Sequence, residues 1–309
     1  MDREGFRRFA RLLGLGARSQ GVCWKLWHMI EYQTDRNVLI TLGEQGHSAY
    51  ANNSPFSHLV IDEFFDRRTL EDVLVEVDGL DRSKRYAKFL DRETGHNKFA
   101  FLPDVVGTHT ARLTQYLNSG PFLAYLERLT GISNLIADPS FFGGGLHWIE
   151  NGGYLEIHAD FNHLKKYNLA RRINLLLYLN KDWKDEYNGQ LELWDTATMT
   201  KRKAVAPLFN RAVIFSTVKE ALHGHPTPLA APPGVARRSL ALYYYTNTWD
   251  PAVQARTTLY YISQRHRVRI RVSRIIRGLI LDLIPPIFRK AVRAIKRAIK
   301  GEKLIELWD

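Results

Sequence analysis

The sequence is almost free of cysteine and has no long apolar run. Cys23 is the single cysteine among 309 residues, which excludes an internal disulfide framework and cysteine-built zinc sites and indicates a reducing compartment. No stretch reaches the length of apolar residues that a membrane span needs. The start, from Met1 to Gly5, includes acidic residues and does not resemble a secretory signal. A soluble cytoplasmic protein is therefore expected.

The positive charge is concentrated in one segment. The formal net charge is +12, yet residues 263–300 alone contain twelve Lys/Arg and one acidic residue, Asp282. From Ile287 onward, apolar and basic residues alternate at helical spacing, which predicts a basic amphipathic helix. Such a tail either packs on the domain or on another subunit, or attaches the protein peripherally to a membrane surface. Nucleic acid is not expected as a partner, because the basic residues lie outside the main body.

Helical patterns precede β-like patterns along the chain. Residues 1–54 have helical spacing, residues 69–80 predict a helix with Thr69 as its cap, and residues 109–132 predict a helical region ending at Gly131. Short runs separated by turns then predict strands at 58–65, 146–150, 154–160, 172–180, 190–194, 212–216 and 239–246. This order indicates a mainly β jelly roll with supporting helices. We expect a helical extension at 1–54, the β domain at 55–250 and the basic tail at 251–309.

The stretch from Gly152 to Asp160 carries the strongest chemical signal. Side chains two apart on a strand share a face, so His158 and Asp160 point the same way. An imidazole and a carboxylate are two of the three ligands in the facial triad of non-haem Fe(II) oxygenases. A later histidine has to supply the third ligand, and either His223 or His225 can do so.

Two further strands offer polar side chains on one face. Arg237 and Ser239 share a face of the last strand and present a guanidinium fork and a hydroxyl suited to a carboxylate. Asn174 and Tyr178 share a face of an earlier strand and predict a polar inner lining.

Over roughly residues 56–246, these pieces together resemble a known family. The ordered set of His158-Ala159-Asp160, Tyr178-Leu179-Asn180, His223 and Arg237-Arg238-Ser239 is similar to that of the 2-oxoglutarate- and Fe(II)-dependent dioxygenases of the prolyl 4-hydroxylase type. The resemblance implies a double-stranded β-helix of the cupin-like kind. It also implies Fe(II) as cofactor and 2-oxoglutarate as cosubstrate, with ascorbate as an additional cofactor.

The resemblance also implies roles for individual residues. His158, Asp160 and His223 would bind iron, with His223 preferred over His225 because the family ligand precedes Gly and Pro. Arg237 would hold the far carboxylate of 2-oxoglutarate. Tyr178, Asn174 and Ser239 are predicted to line the same cosubstrate site. Arg237 lies fourteen positions after His223, a longer spacing than is usual in the family, which leaves Arg238 as an alternative.

The implied reaction is hydroxylation of an unactivated C–H bond with release of succinate and CO2. Halogenation is disfavoured, because a halide would need the place of the Asp160 carboxylate on the metal. A non-catalytic jelly-roll module, recruited to membranes or polyanions by its basic tail, is the alternative. The substrate is left open among an amino acid, a prolyl residue of a protein, a glycan and a lipid-linked precursor.

Overall fold

The computed structural model describes residues 32–85, 87–89, 95–247 and 255–261. The chain divides into two compact units, Met1–Tyr261 and Ile262–Asp309. The second unit, with the predicted basic amphipathic helix, lies outside the described residues, and so does most of the predicted N-terminal extension. The predicted domain boundaries therefore stay predictions. In the described ranges, no helix combines the length and the apolar character that crossing a bilayer requires.

Five α-helices are described, and side-chain caps begin the two longest. Asp35 accepts a hydrogen bond from the backbone N–H of Asn37, and Asp66 accepts one from Thr69. The prediction that Thr69 caps its helix is therefore wrong, because the carboxylate three residues earlier occupies the capping position. Gly131 ends the last helix in a left-handed conformation, as predicted. The helices are α1 (Arg36–Asn52), α2 (Arg67–Asp78), α3 (Pro103–Val106), α4 (Thr108–Leu117) and α5 (Gly120–Thr130).

Thirteen strands form one sheet within the described residues, and every pairing between them is antiparallel. Its main path runs β1-β10-β7-β12-β5-β11-β8-β9. The strands are β1 (His58–Ile61), β2 (Ala87–Phe89), β3 (Gly95–Phe101), β4 (Ile136–Ala137), β5 (Gly145–Ala159), β6 (His163–Leu164), β7 (Leu169–Tyr178), β8 (Leu191–Asp195), β9 (Thr200–Val205), β10 (Ala212–Ser216), β11 (Leu222–His225), β12 (Arg237–Thr246) and β13 (Leu259–Tyr260).

The mainly β architecture with supporting helices is confirmed, but several strand limits differ from those predicted. The two predicted strands around Gly152 are one long strand, β5, which continues through a left-handed Gly152 with a φ of 74°. The short strands β2, β4, β6 and β13 were not predicted, and neither were the strands β3, β9 and β11. The sequences of these last three are rich in Lys, Gly or His, which weakens the apolar alternation that identifies a strand.

The helices cover one face of the sheet and the other face turns toward the barrel interior. Ile173, Leu175 and Leu177 of β7 belong to the main apolar core together with side chains from α1, α2, α4 and α5. The alternate positions of β7, among them Asn174 and Tyr178, therefore face the interior. Helix α1 packs directly on α5, where a Cβ on Gly43 would lie 2.5 Å from the carbonyl oxygen of Tyr125.

Candidate metal and cosubstrate site

Three predicted metal ligands meet in the barrel interior. Strand β11 pairs with β5 so that His223 lies opposite His158, and Asp160 follows directly after β5. The Nε2 atom of His158 is 3.7 Å from Oδ1 of Asp160, and the Nε2 atom of His223 is 3.5 Å from its Oδ2. One ligand atom from each residue lies within 4.8 Å of the others. All three side chains are buried.

Backbone carbonyl groups fix the orientation of both imidazoles. The Nδ1 atom of His158 is 2.8 Å from the carbonyl oxygen of Glu156, and that of His223 is 2.9 Å from the carbonyl oxygen of Ala221. A proton on Nδ1 leaves Nε2 as the lone-pair donor toward the shared space. Burial, with the neighbouring His223, lowers the pKa of His158 to about 3. The imidazole is therefore neutral near pH 7, as a metal ligand has to be.

A shift of register after His223 explains why this histidine, and not His225, completes the cluster: His223 lies opposite His158, whereas His225 lies opposite Leu155. A Cβ on Gly224 would lie 2.7 Å from the carbonyl oxygen of Glu156, so only glycine lets β11 approach β5 this closely. His225 is also buried, but it is outside the cluster, and neither of its ring nitrogens has a hydrogen-bond partner in the structure.

Arg171 and Asn174 hold the carboxylate of Asp160. Oδ2 of Asp160 accepts hydrogen bonds from Nη2 of Arg171 at 3.1 Å and from Nδ2 of Asn174 at 2.6 Å. The Arg171 guanidinium in turn donates to Oδ1 of Asn174 and lies over the Tyr243 ring at 3.5 Å. Burial alone would raise the pKa of Asp160, but Arg171, His223 and His158 hold it well below its usual value. Asn174 thus lies at the metal end, and its predicted part in cosubstrate binding stays a prediction.

A β-bulge explains why the sequence did not reveal Arg171. If side chains alternated strictly along β7 from Asn174, Arg172 would face the interior and Arg171 would face outward. The register between β7 and β12 shifts between Ile173 and Arg171, and the extra residue turns Arg171 to the interior face.

Residues after the predicted domain boundary at 250 also reach this end of the site. Nε of Arg256 donates to the backbone carbonyl oxygen of Asp160 at 3.1 Å, and its Nη2 donates to the carbonyl oxygen of Thr217. Strand β13 pairs with the end of β5, and the Tyr260 ring lies 5.3 Å from the ring of His158. No sequence pattern marked this segment.

Arg237 is the predicted cosubstrate residue, and its guanidinium is buried and oriented. Its Nε donates to the carbonyl oxygen of Gly189 at 2.7 Å, and its Nη2 donates to the hydroxyl of Tyr178 at 3.1 Å. Further N–H donors of the guanidinium remain for a carboxylate. Ser239 is buried two residues further along the same face and lies opposite both Tyr178 and His147. These residues form the polar end of the interior opposite Asp160.

Arg238 points the other way. Its guanidinium pairs with Asp78 and lies 5.5 Å from the Trp148 ring. The long loop before it is anchored to β5: Leu229 exchanges backbone hydrogen bonds with Gly152 and Gly153, at 2.8 and 2.9 Å. The unusual spacing after His223 therefore adds an ordered loop and leaves Arg237 facing the interior.

Lys98 is a second buried cation that sequence reasoning missed. It lies on β3, opposite Ile149 of β5, and is 8% exposed. Burial lowers its pKa to about 8, and the fields of Arg237 and Arg171 act in the same direction, while the carboxylate of Asp160 opposes them. Charges at both the metal end and the Arg237 end of the interior therefore act on the Lys98 ammonium.

This donor set suits Fe(II) and a dicarboxylate. Two neutral imidazoles and one carboxylate that face each other provide the two-His, one-carboxylate arrangement that leaves coordination positions open. A buried guanidinium next to a phenol hydroxyl suits bidentate binding of a carboxylate.

A comparison with protein-family models agrees with this donor set. Residues 144–245, which include all three clustered ligands and Arg237, match the family model of the 2OG-Fe(II) oxygenase superfamily. A search of curated proteins found no match.

Solved structures are similar in fold at low sequence identity. A prolyl hydroxylase of Trichoplax adhaerens, solved with a peptide of the hypoxia inducible factor oxygen degradation domain, is 20% identical with a TM-score of 0.50, covering 68% of this chain and 91% of that chain. A Pseudomonas putida prolyl-4-hydroxylase is 17% identical with a TM-score of 0.48, covering 66% and 99%. A Phytophthora capsici prolyl 4-hydroxylase structure is 19% identical with a TM-score of 0.49, covering 78% and 74%. The first likeness confirms the double-stranded β-helix fold.

Proposed function

We propose that this protein is a 2-oxoglutarate- and Fe(II)-dependent dioxygenase, a proposal that the match of residues 144–245 to the family model supports. We further propose that it hydroxylates an unactivated C–H bond with release of succinate and CO2. The observation that carries the proposal is the convergence of His158, Asp160 and His223 in one buried cluster. A non-catalytic binding module has no need of such a cluster together with an oriented Arg237.

Each residue has a separate task in the proposed mechanism. His158 and His223 would hold Fe(II) through Nε2, with Asp160 as the third ligand. Arg237 and Tyr178 would bind the far carboxylate of 2-oxoglutarate and so set its position relative to the metal. When bound, Fe(II) and 2-oxoglutarate together supply the oxidising chemistry that uses O2. The protein supplies binding, orientation and the exclusion of water.

The environment of Asp160 supports hydroxylation over halogenation. Its Oδ2 is engaged by Arg171 and Asn174, which keeps the carboxylate at the metal and leaves Oδ1 facing His158. A halide would have to take the place of this carboxylate.

Four classes of substrate are proposed. An amino acid, a prolyl residue of a protein, a glycan and a lipid-linked precursor are the candidates, and a prolyl peptide is the first to test because the Trichoplax protein is a prolyl hydroxylase.

We also propose that residues 263–300 attach the protein to anionic membranes. Vesicle flotation with and without residues 263–309 tests this, and unchanged association after deletion would remove the idea.

Conversion of 2-oxoglutarate to succinate tests the proposed reaction. The full chain is expected to form succinate only with Fe(II) and O2 present, and to lose this activity with a chelator or in His158→Ala. His163→Ala, a histidine outside the cluster, is the matched control and should retain the activity. Succinate formation at the same rate without iron would contradict the proposal.

A further inference from the structure

The pairing of three strands places Lys98 and Arg237 in one row across the sheet. Lys98 of β3 lies opposite Ile149 of β5, and Ile149 lies opposite Arg237 of β12. Two strand spacings separate the backbones of the two cations, about 10 Å. Residues directly opposite each other in a ladder project from the same face.

That shared face is the barrel interior. Arg237 is 4% exposed and contacts the phenol of Tyr178, which fixes the direction of the row. The neighbouring row, Phe99, Trp148 and Arg238, turns outward, where the guanidinium groups of Arg82 and Arg85 lie over the two aromatic rings at 5.0 and 5.7 Å. The contrast between the rows assigns the Lys98 side chain to the interior.

The charges that act on the Lys98 ammonium come from both ends of the site. The carboxylate of Asp160 attracts it, and the guanidinium groups of Arg237 and Arg171 repel it. Lys98 in turn contributes to the lowered pKa of His147 and of His225. Lys98 is therefore electrostatically coupled to buried groups at the metal end and at the Arg237 end of the interior.

We propose that Lys98 is a second cosubstrate-binding cation, whose ammonium binds a carboxylate of 2-oxoglutarate in the interval between Asp160 and Arg237. This assignment rests on the proposed function. A dicarboxylate that reaches from the metal to Arg237 spans the same interval, so its charge lies beside Lys98. A buried ammonium compensates a buried dianion, which Arg237 alone can neutralise only in part.

Binding of 2-oxoglutarate without turnover tests this proposal. The full chain is loaded with Mn(II), which binds such sites without supporting the oxidation, and is titrated with 2-oxoglutarate by calorimetry. Lys98→Met removes the charge at similar length, Lys98→Arg keeps it, and Lys181→Met removes a half-exposed lysine that pairs with Glu71. Thermal melting and the Mn(II) stoichiometry show whether each variant is folded, and Lys98→Gln replaces Lys98→Met if that variant does not fold.

We expect Lys98→Met to weaken 2-oxoglutarate binding by about tenfold or more, Lys98→Arg to retain most of the affinity, and Lys181→Met to match the wild type. Pyruvate, a keto acid without the far carboxylate, identifies which carboxylate Lys98 binds. Weaker binding of both acids in Lys98→Met assigns it the carboxylate next to the metal. Weaker binding of 2-oxoglutarate alone assigns it the far carboxylate beside Arg237.

Two results would overturn the assignment, and they differ. Equal 2-oxoglutarate affinity in folded Lys98→Met and wild type would remove Lys98 from the cosubstrate site and leave the proposed function intact. Absence of 2-oxoglutarate binding in the Mn(II)-loaded wild type would overturn the proposed function and the Lys98 assignment with it.

Discussion

Strands β3, β5 and β12 carry two neighbouring rows of residues with opposite surroundings. The inner row of Lys98, Ile149 and Arg237 turns its cations into the barrel, whereas the outer row of Phe99, Trp148 and Arg238 stacks arginines over aromatic rings. Arg237 and Arg238 are adjacent and chemically identical, yet one contacts Tyr178 and the other pairs with Asp78. Strand register, and not residue type, therefore decides which arginine can meet a buried ligand.

The strongest test of this contrast replaces each arginine in turn. Arg237→Met is expected to weaken 2-oxoglutarate binding to the Mn(II)-loaded protein by about a hundredfold, because two charge-assisted hydrogen bonds to a carboxylate are lost. Arg238→Met should change the affinity less than about twofold and cost at most about 1 kcal/mol of stability, since its partner Asp78 is exposed. Calorimetry and thermal melting measure both. Equal losses of 2-oxoglutarate affinity in the two variants would contradict the difference between the inner and the outer row.

A smaller effect is expected at the metal end of the inner face. Asn174→Ala should weaken Mn(II) binding by about tenfold, because Asp160 loses the hydrogen bond that orients its carboxylate. Leu176→Ala, two residues further along the same strand, controls for the loss of side-chain volume. Electron paramagnetic resonance of free Mn(II) measures the affinity. If Asn174→Ala weakens 2-oxoglutarate binding and leaves Mn(II) binding unchanged, Asn174 belongs to the cosubstrate site.

The smallest effect is a pH dependence of cosubstrate binding. The pKa of Lys98 is about 8 in the free protein, and binding an anion favours its protonated form. Affinity is therefore expected to be level below about pH 8 and to fall above it, by no more than the loss seen in Lys98→Met, because deprotonation removes the same charge.

The surrounding groups do not produce this dependence. Arg237 and Arg171 stay charged, burial keeps the pKa values of His147 and His225 below the ordinary range, and Asp160 stays ionised. Lys98→Arg should have a level profile, since arginine keeps its proton. A wild-type profile that is level from pH 7 to 10, measured by calorimetry, would contradict the charge assigned to Lys98.

The sequence predicted those parts of the site that depend on short-range order. Strand alternation paired His158 with Asp160, and the order of motifs along the chain supplied His223, Tyr178 and Arg237. The choice between Arg237 and Arg238 required the structure, because the loop after His223 changes the spacing without revealing the register.

The missed residues depend on long-range pairing or on bulges. Arg171 reaches Asp160 only because β7 is bulged between Arg171 and Ile173, and alternation from Asn174 points to Arg172 instead. Two successive strand pairings, β3 with β5 and β5 with β12, place Lys98 in the same row as Arg237. Neither pairing can be recognised from a single amino-acid sequence.

One measurement tests the central claim most directly: anaerobic titration of the full chain with Fe(II) and 2-oxoglutarate, followed by the charge-transfer absorption of the Fe(II)–keto-acid complex. We expect the absorption to saturate at one Fe(II) and one 2-oxoglutarate per chain, and to be absent in His158→Ala and His223→Ala but present in His225→Ala. An unchanged absorption in His158→Ala and His223→Ala, or none in the wild type, would contradict the account.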